Sequence, residues 1–220
     1  MIKKSSNLAL SKTTQPKKSQ KPKINRTIMR RLTLFLLALF ALSGAEAQSF
    51  KFDFSTSKKA KEGYIKITPA DRFSEERGYG YDMTASPEEN STAPFFFSVS
   101  VPDGNYLVTA VIGNKRMAGM TTVRGESRRL FFENIATKRG EFKPCTFVIN
   151  KRNTHISEGE DVRIKPRERH KLNWDDKLTL EFNGDAPQLC ELVIERVENI
   201  PTIFLCGDST VVDLDNEPWA

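Results

Sequence analysis

The sequence predicts a mainly β protein: a two-sheet sandwich of jelly-roll type, followed by the first strand of an α/β layer. Three observations carry this. Short apolar or alternating runs fill residues 50 to 197, no long helical period interrupts them, and after Val197 the pattern changes to an unbroken apolar run.

The runs come in order as FKFDF (50–54), GYIKI (63–67), FFFSVSV (95–101), NYLVTAVI (105–112), RLFFENI (129–135) and CTFVIN (145–150), then VRI (162–164), KLTLEF (177–182) and LCELVIERV (189–197). Alternation with a period of two places every second side chain on one face, as a half-buried strand requires. The joints have their own chemistry. Pro102, Asp103, Gly104 and Asn105, and later Asn183, Gly184 and Asp185, are residues that preset or tolerate turn dihedrals. Without βαβ alternation, such a series of short strands points to a sandwich rather than a parallel sheet. Glu198 and Asn199 then form a polar hinge, and IPTIFLC (200–206) reads as a strand buried on both faces. A domain boundary is expected near residue 199.

The front of the chain is read as a targeting segment. The first 31 residues carry ten Lys or Arg and no acid, LTLFLLALFAL (32–42) is apolar, and Ala45, Glu46 and Ala47 give a small-x-small cleavage pattern. Residues 1–47 are expected to be a signal peptide cut after Ala47, with translation starting at Met1 or Met29. The apolar run is shorter than the roughly 20 residues of a membrane span, so no stable span is expected after cleavage. The product would be secreted or periplasmic.

Cleavage removes ten of the 34 basic residues and one of the 28 acidic ones, turning a formal charge of +6 into −3. The basic character belongs to the leader and gives no reason to expect nucleic-acid binding. Three cysteines, Cys145, Cys190 and Cys206, have no C-x-x-C spacing and no His pair nearby, which argues against zinc. Export permits a Cys145–Cys190 disulfide, while small buried thiols are the plainer alternative.

The chemistry lies in Gly207, Asp208, Ser209 and Thr210. Glycine admits a turn closed to other residues and lets the backbone approach a substrate. Asp208, Ser209 and Thr210 are helix N-cap types, and free N–H groups at a helix start can stabilise an oxyanion. An ordinary strand-to-helix turn would have the same look.

CGDSTVVDLDNEPWA (206–220) resembles the first conserved block of the SGNH (GDSL) hydrolases, and Thr210 with Val211, Val212 and Asp213 looks most like the rhamnogalacturonan acetylesterase branch. ERGYGYD (76–82), ESRRLFFENI (126–135), GEFKPCTFVIN (140–150) and LNWDDKLTLEFNG (172–184) resemble the galactose-binding-like sandwich that precedes the esterase domain in such secreted enzymes. The likeness covers residues 50–220. It implies a sandwich over residues 48–198 and the start of a truncated hydrolase domain over 199–220. It also implies Ser209 as nucleophile and oxyanion N–H donor, with Gly207, Asp208 and Thr210 shaping its turn. The implied substrate is acetylated pectic polysaccharide, and no cofactor is implied.

A serine hydroxyl needs a base, usually a His oriented by a carboxylate. SGNH enzymes place that pair as Asp-x-x-His near the C-terminus. Here His155 and His170 both precede Ser209, and neither holds that position. The expectation is the front piece of a longer esterase, inactive as it stands. The alternative is a non-catalytic carbohydrate-binding or structural sandwich.

Other residues are weaker candidates. Arg72, Arg77, Tyr79 and Tyr81 could form a sugar-stacking patch or an ordered loop packed over one sheet. Arg128 and Arg129 could clamp a uronate carboxylate or line a solvated edge. Trp174, Asp175 and Asp176 read as a turn, with too few oxygens for calcium. The basic run Arg163, Lys165, Arg167, Arg169, His170 and Lys171 could attract acidic pectin or form a solvated loop.

Overall fold

A computed structural model of the chain describes residues 49–83, 92–126, 129–166, 169, 172 and 174–205. The chain divides into two units, Met1–Glu46 and Ala47–Ala220, and all described residues lie in the second. Its described residues are mainly β, with two five-stranded sheets and one small hairpin.

The strands are β1 (Ser49–Asp53), β2 (Ile65–Lys66), β3 (Tyr79–Asp82), β4 (Phe95–Ser100), β5 (Gly104–Ile112), β6 (Gly119–Gly125), β7 (Arg129–Thr137) and β8 (Lys143–Lys151). They continue with β9 (His155–Ser157), β10 (Glu160–Asp161), β11 (Lys177–Asn183) and β12 (Glu191–Val197). One sheet runs β2-β1-β12-β5-β8 and the other β3-β4-β11-β6-β7, while β9 and β10 form the hairpin. All ladders are antiparallel except β1 with β2.

The alternation written in the sequence sets which side chains meet between the sheets. In β5, Tyr106, Val108, Ala110 and Ile112 are all fully buried, one residue in two. Phe52 on β1 meets Phe97 on β4 edge-on at 5.1 Å, and Phe131 on β7 stacks on Phe147 of β8 at 4.1 Å, so aromatic rings join the two sheets. Ring pairs at such separations add about 0.5–1.5 kcal/mol beyond the area they bury. Tyr106 also donates its hydroxyl to the Pro102 carbonyl at 2.8 Å, fixing the β4–β5 turn that Asp103 and Gly104 complete.

Within the five-stranded sheets, two strands carry little apolar signal and escape the pattern reading. β3 (YGYD) holds two glycine-separated tyrosines. Gly80 sits at φ 146, and a Cβ there would lie 2.5 Å from the Arg72 carbonyl carbon, so the 71–73 backbone crosses β3 where only glycine fits. β6 (GMTTVRG) buries Thr121 and Thr122, and the Thr121 hydroxyl accepts the Gln188 N–H at 2.9 Å. A buried polar residue with a partner behaves like core, which apolar periodicity does not register. VRI (162–164) is not a strand; Val162 donates one bond to the Thr154 carbonyl at 2.7 Å, beyond the β9–β10 hairpin.

A larger departure follows β12. Residues 200–205 form no strand, and Ile203, Phe204 and Leu205 are 84%, 59% and 79% exposed rather than buried. A strand buried on both faces needs neighbouring strands, and none of the described residues supplies them. Cys145 and Cys190 are free thiols. Cys145 pairs across β5 with Ala110 while Cys190 bonds to Val111 on the far side, so β5 stands between them. Two strand spacings are about 9.5 Å, beyond disulfide reach.

Candidate functional site

Gly207, Asp208, Ser209 and Thr210, together with Cys206, lie outside the described residues, as do Arg128, Arg167, His170 and Lys171. The site residues that are described occupy three places.

The first is the turn leading into β3. The Arg77 guanidinium donates to the Arg72 carbonyl at 2.7 Å and stands 3.6 Å from Asp71. Tyr81 is buried, with the rings of Phe54, Phe95 and Phe97 edge-on around it. Tyr79, half-buried, packs on Phe52 at 5.1 Å. These rings serve the core, and the buried Tyr81 offers no face to a ligand.

The second place is the end of the unit where the β4–β5 turn, the β6–β7 turn and the 174–176 loop meet. Lys151 is 1% exposed, with its ammonium 3.0 Å from Asp103 and 3.9 Å from Asp176. Asp103 also accepts the Asn153 N–H at 3.0 Å. Glu126, at φ 53, is 2% exposed; it accepts the Thr179 N–H at 3.1 Å and returns its own N–H to the Thr179 carbonyl at 2.8 Å. Burial pushes its carboxyl up to about 8, against the Thr179 hydrogen bond and the Arg129 charge. Trp174, 38% exposed at φ 67, bridges to Asn153, and Asp175 and Asp176 spend hydrogen bonds on Lys177 N–H and the Asn153 amide. The turn reading of residues 174–176 describes what these acids do. Arg129 donates to the Asn150 carbonyl at 2.8 Å. Arg163, Lys165 and Arg169 are exposed.

The third place was not signalled by sequence: a cleft of about 180 Å³ at the opposite ends of β1, β5 and β12. Ser55, Ser57, Asn114, Lys115, Phe142 and Cys190 line it, with Phe142 42% exposed. Asp53 props its floor, accepting the Ser55 and Lys61 N–H groups at 2.7 and 2.9 Å and pairing with Lys66 at 3.3 Å. Burial works to raise the Asp53 pKa; the Ser55 and Lys61 hydrogen bonds and the Lys66 charge outweigh it and hold it below the usual value.

Among the described residues no hydroxyl or thiol is hydrogen-bonded to a histidine. His155 faces Asp161 at 3.4 Å on the exposed hairpin, and the Ser157 hydroxyl of the same strand donates to Glu160 at 2.9 Å rather than to the imidazole. Burial pushes the Cys145 thiol up and the Cys190 thiol to about 11, so both are poor nucleophiles. Among the described residues no three metal-ligating side chains converge, and no helix is long and apolar enough to cross a membrane.

No family model matches the sequence, and no curated protein matches it. Among solved structures, protein YxiM from Bacillus subtilis is similar in its β-rich fold, with a TM-score of 0.45 and 22% identity. The match covers 71% of this chain and 42% of that one, so this chain spans less than half of its length.

Proposed function

We propose that the two-sheet unit is a galactose-binding-like jelly-roll sandwich and that the polypeptide from Asn199 onward opens an SGNH-type esterase domain whose nucleophile is Ser209. The strand order supports the first half. β4 and β5 lie in different sheets, as do β5 and β6, β7 and β8, and β11 and β12, which is how a jelly roll winds.

The second half is carried by one conjunction: the sequence Gly-Asp-Ser-Thr follows an apolar run in which the two-sheet unit leaves Ile203, Phe204 and Leu205 exposed. In a second, α/β layer the same run has a sheet to enter. Ser209 Oγ would then attack an acetyl carbonyl carbon of pectic polysaccharide while a base takes its proton. The oxyanion rests on backbone N–H groups including that of Ser209, and the C–O bond to the sugar breaks as the sugar oxygen takes up the proton. Water then releases acetate. The reading assigns the base and its carboxylate to polypeptide beyond the 220 residues.

The test is acetate release from acetylated rhamnogalacturonan by the product of the full reading frame. Ser209→Ala should lower kcat by at least about a thousandfold, and unchanged turnover would remove Ser209 from the reaction.

The cleft favours a second reading, a glycan-binding module. A ring face, hydroxyls, an amide and an ammonium around a space of about 180 Å³ suit one sugar residue. Affinity electrophoresis on pectins separates the readings: binding predicts retardation that Phe142→Ala abolishes.

A further inference from the structure

The geometry points to a docking strip, made of Asn105, Asn150 and Arg152, that fixes residues 200–204 across one end of the sandwich and so sets the direction in which the following polypeptide leaves. β12 ends with Val197 paired to Asn105, the second residue of the adjacent β5. Asn199, at φ 60, then turns the chain. The Asn105 amide donates to the Ile200 carbonyl at 3.2 Å and to the Thr202 hydroxyl at 3.1 Å, and the Thr202 hydroxyl lies 3.2 Å from the Asn105 carbonyl oxygen.

Asn105 is held in turn. Its cross-strand partner on β8 is Asn150, whose amide donates to the Asn105 side-chain oxygen at 2.8 Å and to the Gly104 carbonyl at 3.4 Å. The Arg152 Nε donates to the Asn150 oxygen at 3.2 Å, and the Arg152 guanidinium covers the Phe204 ring at 4.7 Å. The segment therefore passes from β12 over the ends of β5 and β8, gripped by three side chains already locked to one another.

Its own alternation fits this. Thr202 and Phe204 face the strip, while Ile203 and Leu205 are the most exposed large apolar residues among those described. A floating tether would have no reason to spend two strand asparagines, a residue type depleted in strands, on its first turns. The strip makes the sandwich a bracket: Asn105, Asn150 and Arg152 are positioning residues for whatever Leu205 leads into. On the reading proposed above, that is the Ser209 turn.

The experiment has two arms. In the 220-residue chain, backbone ¹⁵N heteronuclear NOE values for residues 200–204 should match those of β12. Arg152→Ala and, separately, Thr202→Val should lower them toward tail values while the thermal midpoint stays put. Chymotryptic cleavage after Phe204 should quicken in Arg152→Ala by roughly three- to fivefold, as expected for loss of an exposed cation–π contact. Tail-like values in the wild-type chain, or values that neither substitution changes, would overturn the docking strip.

In the full-length product, Arg152→Ala should lower kcat/KM for acetate release without moving the thermal midpoint, and a lysine at 152 should restore part of it. Absence of esterase activity from the wild-type product would defeat the proposed function and leave the first arm to decide the strip. Activity indifferent to Arg152→Ala, with an ordered segment, would confine the strip to holding the segment and refute its positioning role.

Discussion

β12 and the segment after it are both apolar and lie three residues apart, yet Leu192 and Ile194 are fully buried while Ile203 and Leu205 are largely exposed. The difference is one of partners. β12 lies between β1 and β5, so its backbone is paired on both sides and its inward side chains meet the facing sheet. Residues 200–205 are held to the same two-sheet unit by hydrogen bonds with Asn105 and by the Arg152 guanidinium over the Phe204 ring. An apolar run in sequence states a need for burial, and the fold shows whether the unit at hand meets it.

The comparison breaks most sharply under truncation. Leu192→Ala should cost about 2–5 kcal/mol in urea unfolding, whereas Leu205→Ala should stay within about 0.5 kcal/mol. A large effect at Leu205 would mean that the segment is part of the core between the two sheets.

Next in size is the buried acid at the end where the segment docks. The Glu126 carboxyl is pushed up to about 8 in the folded chain, against an ordinary glutamate value near 4.5 in the unfolded one. Between those values the folded state holds a proton that the unfolded state has lost, so stability falls as pH rises from about 4.5 to about 8. Glu126→Gln, which keeps an acceptor for Thr179, should flatten that slope and raise stability at pH 8 by a few kcal/mol at most, of the order a shift this size allows. Urea midpoints from pH 5 to pH 9 check it; parallel curves for both proteins would contradict it.

Asp82 has the opposite sign. Burial works to raise its pKa, but Lys177 at 2.6 Å, the Ser98 hydroxyl at 2.9 Å and the Met83 N–H at 2.8 Å hold it below the usual value. Its contribution is present above the unfolded pKa and is lost as pH falls through the folded one. Asp82→Asn should therefore cost about 1–3 kcal/mol at neutral pH and progressively less in acid. A penalty that persists undiminished at low pH would show that packing, not charge, holds β3 to β4. Arg152→Ala ranks with Leu205→Ala, within about 0.5 kcal/mol in global stability, read by the same unfolding curves.

What was legible follows from the same physics. β4, β5, β8, β11 and β12 announce themselves because each puts apolar side chains on a face that the fold buries. β3 and β6 were silent because they bury tyrosines beside an obligatory glycine, or threonines whose hydroxyls are satisfied, and neither looks apolar at period two. The run at 200–206 was read as buried since composition reports hydrophobicity but not the presence of neighbouring strands. Asn105 and Asn150 carried a faint signal as asparagines inside strong strands. Only the register that sets them opposite each other, beneath Thr202, shows their use.

The most direct measurement is to trap the acyl intermediate. The full-length protein, quenched in acid during turnover of acetylated pectin and digested, should yield one peptide heavier by a single acetyl group, with the modification on Ser209. The Ser209→Ala protein should yield none and release no acetate. Acetate release that persists in Ser209→Ala, or an acetyl group carried by a different residue, would contradict the account.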